Sequence, residues 1–427
     1  MAKITAVVLG AGGRGLNAYA PYALHHPDEL QFVAVAEPHA DRRELFAKRY
    51  NIHANRCYES WEDLLNEGKL ADALFNCTMD QMHFPSTVAA LESGYDVLLE
   101  KPMAHRLEDN VRLVQLAEEQ GRLLQICHVL RYTNYFRKIR EIVQSGRLGR
   151  IISVDHRENL IYWHMAHSFV RGNWRNLATS APMLLAKCCH DLDILLWILQ
   201  QEVVRLNSFG SLTWFRPENA PEGAPLRCTD GCPAAEECKW YAPRLYVSDR
   251  DGHPWNALTY QANAEARLEA LKTGPYGRCV YHCDNDVVDH QTVNMEMADG
   301  TTVVLTMQGQ GYEEGRSMRY DGTRATLLGA FAKENKIVIH DHLTGQKEYV
   351  EVENAASGHG GGDMGLVGSF VKAMRGEPDD TLTSARASLE SHLLAFAAEE
   401  ARLNNQVVEM ADFRQRAEQA AQQAYAH

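Results

Sequence analysis

Ile4, Ala6, Val7, Val8 and Leu9 form a short apolar run that ends at Gly10, Gly12 and Gly15 and gives way to a helical pattern over Leu16–Leu24. Gln31–Ala36, Ala73–Cys77, Tyr95–Leu99 and Leu123–His128 repeat the short apolar run. Between them, Asp41–Tyr50, Trp61–Glu67 and a stretch opening after His83 and closing at Gly94 read as helices. Strands alternating with helices through residue 127 predict a doubly wound parallel sheet with helices on both faces. After the helix predicted for Asn134–Gly146, the pattern changes at Ile151 to alternating polar and apolar positions, with hairpin signals at Asp299-Gly300 and Asp321-Gly322. That half predicts an α+β domain built on a large, mostly antiparallel sheet. The expected division is a dinucleotide domain over residues 1–128 and a substrate and oligomerisation domain over 129–427. The second carries a Cys-rich insertion at about 216–284 and a helix at about 384–402 that returns to the first domain.

Composition narrows the function classes. The 427 residues are 45% hydrophobic and 23% charged, an ordinary balance for a globular chain. A net charge of −13 argues against a nucleic-acid partner, which wants a basic face. No apolar run approaches a membrane span, and the first one is too short for a signal peptide, so a cytoplasmic location without membrane association is expected. Disulfides are unusual in that compartment, which leaves the ten cysteines to be explained otherwise.

Gly10, Gly12 and Gly15 have G-x-G-x-x-G spacing between a strand and a helix, the arrangement that binds a dinucleotide. The first glycine permits the tight turn, the second lets the backbone approach the pyrophosphate, and the third lets strand and helix pack closely. Glu37 ends the second strand, where a carboxylate holds the ribose hydroxyls and repels a 2′-phosphate; it favours NAD over NADP, softened by nearby Arg42 and Arg43. Gly10, Glu37, Thr78 and Lys101 all fall at carboxyl ends of predicted strands, the edge where such sheets bind ligands. An ammonium at the reacting oxygen, as Lys101 could supply, stabilises developing alkoxide charge.

Glu100-Lys101-Pro102 at a strand end, together with GAGGRG, the acid at 37, His83 and GRLGR at 146–150, resembles the Gfo/Idh/MocA family of oxidoreductases. The resemblance implies a Rossmann domain whose cofactor residues are Gly10, Gly12, Gly13, Arg14, Gly15, Glu37, Thr78, His83, Glu100, Lys101 and Pro102. It places Lys101 between nicotinamide and substrate, on the reacting hydroxyl, with Pro102 commonly cis. It also implies an antiparallel sheet that packs helices on one face and offers the other to a homodimer or homotetramer. The family pattern of an aspartate four residues before a histidine, with an acid three after it, is met by His190 and Asp193 but broken by Ala186, with Lys187 next to it. The departure suggests that Lys101 and Lys187 flank the reacting oxygen and that His190 is the general base, since an imidazole ordinarily titrates near neutrality. Asp191 and Asp193 are open to either a functional role or that of helix N-terminal charges.

Clusters rich in aromatic, imidazole and guanidinium groups suit a sugar ring, which has apolar faces and hydroxyl edges. Arg131, Tyr132, His164, His167, Arg171, Trp174, Arg175, Asp191 and His359 are candidate substrate contacts, alongside the acidic stretches at 284–291 and the SGHGGGD loop ending at Asp363. Cys228, Cys232 and Cys238 with Cys279 and Cys283 fit a structural zinc, a disulfide pair or free thiols. The leading expectation is NAD-dependent hydride transfer at a secondary hydroxyl of a sugar, polyol or glycoside. The alternatives are an NAD-dependent glycoside hydrolase with no net redox change and a non-catalytic nucleotide-sensing regulator.

Overall fold

The computed structural model describes residues 3–353 and 358–425. Six strands form the first sheet: β1 (Ile4–Leu9), β2 (Leu30–Ala36), β3 (Cys57–Tyr58), β4 (Ala73–Asn76), β5 (Asp96–Leu99) and β6 (Leu124–Ile126). Their order is β3-β2-β1-β4-β5-β6, and every pair is parallel. Residues on both faces of β1 and β4 are buried, which is why these strands read as continuous apolar runs rather than alternating ones. The order reverses between β1 and β4, so a crevice opens at their carboxyl ends. The fold class is thus the expected one: a parallel doubly wound sheet joined to a mostly antiparallel one.

Element edges differ from the sequence reading where glycine and proline compete. Residues 13–19 form a wide π-helical turn, and Pro21–His25 a short α-helix, in place of one helix over Leu16–Leu24. The helix after β4 begins at Asp80 and contains His83 rather than starting after it. Two glycines are obligatory in the first loop. Gly10 has φ +86°, and a Cβ there would stand 2.4 Å from the Cys77 carbonyl oxygen. A Cβ on Gly15 would stand 2.1 Å from the Gly10 carbonyl oxygen, so strand and helix approach this closely only without one.

The second sheet has nine strands: β7 (Ile151–Ile161), β8 (Val203–Ser211), β9 (His290–Met297), β10 (Thr302–Gly311), β11 (Gly315–Gly322), β12 (Ala325–Phe331), β13 (Lys336–Asp341), β14 (Lys347–Val350) and β15 (Val408–Glu409). Their order is β14-β13-β12-β11-β7-β10-β9-β8-β15, antiparallel except for the β7–β10 pair. Val293, Met295, Val303, Leu305 and Met307 are buried, while the positions between them are half-buried or exposed. Helices Met183–Leu199 and Ala385–Asn404 pack on each other and on this sheet. Ala385–Asn404 also packs on Leu107–Glu119 of the first half and thereby joins the two sheets. Among the described residues, no helix is long and apolar enough to cross a membrane.

Candidate active site

The glycine loop is held from below. Glu37, 3% exposed, accepts hydrogen bonds from the backbone N–H groups of Ala11 (2.8 Å) and His39 (3.0 Å). Above the loop there is room: a Cβ at Gly13 would meet nothing within 4 Å, and one at Gly12 only Arg42 at 3.8 Å. Arg14 reaches across the crevice. It donates to Glu100 (Nε, 2.5 Å), to the Tyr19 hydroxyl (2.5 Å) and to Asp363 (2.8 Å), which opens the helix Gly362–Met374. Burial opposes the charge on Glu100, but Arg14 and Lys101 overcome it and hold the carboxylate below its usual range.

The loop after β5 carries the lysine. The Lys101–Pro102 peptide is cis. His83 links two strand-end loops, contacting the Pro102 carbonyl through Nδ1 (2.7 Å) and the Thr78 carbonyl through Nε2 (3.1 Å). Lys101 Nζ donates to the Ala186 carbonyl (2.8 Å) in the helix Met183–Leu199. Pro182 precedes that helix, so His190 lies in its middle, one turn beyond Ala186 and on the same face. His190 is 8% exposed and meets the His128 ring edge-on at 5.5 Å. His392 stands behind, 5.5 Å from His128. Its Nε2 accepts the Met103 N–H (2.9 Å) and its Nδ1 donates to the Ser388 carbonyl (2.9 Å), a neutral imidazole that fixes the chain just past Pro102.

Burial pushes the His392 imidazole down to about 3. The unfolded chain binds its proton near pH 6.5, so the unfolded state holds more protons between these values. Stability from this group is complete above pH 6.5 and is lost as pH falls from there toward 3. At pH 5 the expected loss is about 2 kcal/mol. His128, lowered by burial first and by Arg131 and Lys101 next, acts in the same direction. Urea midpoints at pH 7 and pH 5 check this: the difference should shrink in His392→Asn, and an equal difference in both proteins would refute it.

A charged network lies on the other side of the same helix. The Lys187 ammonium stands between Glu158 (3.2 Å) and Glu314 (3.5 Å). Burial lowers its pKa, yet the two carboxylates prevail and raise it, so Lys187 remains a cation. Arg316 joins Glu158 (2.8 Å) to Asp191 (2.6 Å), and His156 donates to Asp191 (2.8 Å). Arg316 holds Asp191 well below the carboxylate range despite complete burial. Glu158, Arg316, His156 and Glu314 were missed in the sequence. The available signal was charge at alternate, inward positions of β7, where His156 and Glu158 are 2% and 1% exposed.

Beyond this network stands a wall of imidazoles and aromatics. His164 Nδ1 contacts Glu314 (2.8 Å), and His167 Nδ1 contacts the Tyr246 hydroxyl (2.8 Å) and stacks on Tyr276 at 4.6 Å. His253, from the insertion, lies 5.1 Å from the His167 ring and 5.9 Å from the His164 ring. Burial lowers all three, His167 to about 2 and His253 to about 4, so they are neutral donors and acceptors at pH 7.

Other sequence candidates are engaged elsewhere. Arg131 makes a bidentate pair with buried Asp193 (2.7 and 2.5 Å), which makes Asp193 its counter-ion rather than a helix-terminal charge. The Tyr132 hydroxyl bonds Gln125 and the Thr381 carbonyl. Trp174 Nε1 donates to Asp80, which also takes the Ser180 hydroxyl; Arg175 pairs with Asp284. Arg171 is buried against the cysteine-rich insertion. The side chain of His359 lies outside the described residues.

Comparison with known proteins places this geometry. Residues 4–128 match the family model described as an oxidoreductase family with an NAD-binding Rossmann fold, and residues 136–328 match the GFO/IDH/MocA C-terminal domain. YteT of Bacillus subtilis is 23% identical over 323 residues, 71% of this chain and 73% of that protein. Inositol 2-dehydrogenase 3 of Saccharopolyspora erythraea is 28% identical over 176 residues, 41% of this chain and 47% of that protein. Among solved structures, the WlbA dehydrogenase from Bordetella pertussis, in complex with NADH and UDP-GlcNAcA, superposes with a TM-score of 0.67 at 15% identity, covering 95% of this chain and 97% of the other.

Proposed function

Because this chain belongs to the GFO/IDH/MocA oxidoreductases, we propose that it moves a hydride between a nicotinamide dinucleotide, NAD in preference to NADP, and a secondary hydroxyl of a sugar or polyol. The observation that carries the proposal is Lys101. Its ammonium leaves a strand end beside the glycine loop and is fixed on the Ala186 carbonyl, one helical turn from His190. The crevice suits the cofactor: the backbone of Gly12 and Gly13 is open, and Glu37 uses one bond on each carboxylate oxygen, which leaves acceptor capacity for ribose hydroxyls. Gly10, Gly12, Gly13 and Gly15 would hold the pyrophosphate, with Thr78 and the Glu100–Pro102 loop beside the nicotinamide. The name of a relative, inositol 2-dehydrogenase 3, supports the substrate class.

Bound dinucleotide supplies the hydride acceptor. The chain supplies the remainder. Lys101 donates to the substrate oxygen and stabilises negative charge as the O–H bond breaks. His190 takes that proton and returns it in the reverse direction. Lys187 lies on the other side of the helix, its charge taken up by Glu158 and Glu314, so Lys101 rather than Lys187 is the cation at the reacting oxygen. His164 and His167 meet the remaining hydroxyls while the Trp163 ring, stacked on His164 at 5.7 Å, offers an apolar face.

The test incubates the protein with NAD or NADP and a panel of inositols, aldoses, nucleotide sugars and aryl glycosides. NADH should accumulate with oxidised product, and kcat/KM should favour NAD. Aglycone release with no net NADH would replace the proposal with redox-neutral glycoside cleavage. No hydride exchange with any substrate would replace it with a sensing role.

A further inference from the structure

The segment between β8 and β9 has scant means of holding itself together. Its regular elements are two short helices, Ala242–Tyr246 and Ala264–Thr273, with single 3-10 turns. Its separate buried core comprises Cys228, Ala242, Tyr246 and Leu271, while Phe215, Trp240, Val280 and Tyr281 are buried in the main core. The turns of 216–241, which hold three of the cysteines, have little core of their own, and a covalent or metal staple would fix them.

Four of its five cysteines, Cys228, Cys232, Cys238 and Cys279, line one cavity of about 10 Å³. Cys283 does not line it; its thiol is directed to the Cys279 carbonyl. All ten cysteines of the chain are free thiols. Arg171 forms part of the same cavity and is completely buried. Its Nε donates to the Arg278 carbonyl (2.7 Å), and its Nη2 to the Trp240 carbonyl (2.7 Å) and the Cys228 sulfur (3.6 Å). Its Nη1 is buried with no hydrogen-bond partner. Among the described residues, no carboxylate pairs with this guanidinium. A buried cation lacking a counter-ion is strongly unfavourable, so the cavity is short of one negative charge or more.

We propose that Cys228, Cys232, Cys238 and Cys279 bind one structural zinc ion as thiolates, with Arg171 as the counter-charge. Binding converts four thiols to thiolates and releases four protons. The resulting centre carries two net negative charges, one of which the Arg171 guanidinium balances. Disulfide pairing would leave neutral sulfur and an uncompensated guanidinium. The cavity has room for one small ion. Among the described residues, no three His, Cys, Asp or Glu side chains stand at ligating spacing. The proposal therefore requires the thiols to close around the ion on binding; three of the four, Cys228, Cys232 and Cys238, lie in turns rather than in a helix or strand. The site also stiffens the cleft. Tyr246 and Tyr276, whose segments close around it, are the partners of His167. This assignment does not depend on the oxidoreductase reading.

The test uses the full-length protein purified without metal-affinity resin from zinc- and iron-supplemented medium. Elemental analysis should find one zinc per chain. A thiol-specific mercurial should release it as four thiols are consumed, and Co(II) in its place should show the visible bands of a tetrahedral thiolate site. Cys283→Ser should keep the zinc and Cys238→Ser should lose it. If Cys238→Ser does not fold, the mercurial and Co(II) readouts on the unaltered protein decide. Zinc far below one per chain, iron with acid-labile sulfide, or a disulfide found by mass spectrometry would each overturn the assignment.

Discussion

Lys101→Met is expected to lower kcat by about a thousandfold, because it removes the cation at the oxygen where negative charge develops while retaining an unbranched side chain one atom shorter. The environment gives this change a specific signature. Lys101 is fixed by one bond to the Ala186 carbonyl, whereas the glycine loop is held separately by Glu37 and by Arg14 on Glu100 and Asp363. Cofactor affinity, read by fluorescence quenching with NADH, should therefore change little, and the thermal midpoint should remain near that of the unaltered protein. A kcat within about tenfold of the parent would remove Lys101 from the chemistry. Loss of NADH binding together with kcat would make it a structural residue of the loop.

The second large effect belongs to a residue far from the motifs. Arg316→Met should destabilise the fold by about 3–5 kcal/mol, the cost of leaving a buried carboxylate without its partner. Arg316 faces two of them: Asp191, fully buried, and Glu158, 1% exposed. His156 can still donate to Asp191, and Lys187 still faces Glu158, which keeps the cost within that range. Adding Asp191→Asn to Arg316→Met should recover part of the loss, since the charge and its missing partner then disappear together. Urea unfolding of the two variants measures both quantities. A single variant within about 1 kcal/mol of the parent would show that solvent reaches the network.

Much of the first half is legible as sequence because its determinants are local. The run Ile4–Leu9 is apolar throughout because both faces of β1 are covered, and GAGGRG must be glycine-rich because Cβ atoms at 10 and 15 would strike backbone oxygens. The second sheet announces itself by alternation, which reflects one covered face. The candidate site is legible only in part. His83 reads as a cofactor contact, yet the fold uses both its ring nitrogens to join two loops. Arg131 reads as a substrate contact, yet its fork closes on Asp193, 62 residues away.

The sequence by itself determined the alternation of strands and helices in the first half, the glycine loop and the position of Lys101 at a strand end, since these depend on periodicity and backbone sterics within a few residues; it missed the helices Leu107–Glu119, Gly362–Met374 and Met410–Ala424. Only the tertiary structure decided which charges meet. Arg316 reaches Asp191 across 125 residues, and Arg14 reaches Asp363 across 349. Such pairs follow from sheet register and helix packing, and a carboxylate of the same local appearance is a counter-ion, a brace or a surface charge according to what the fold places opposite it.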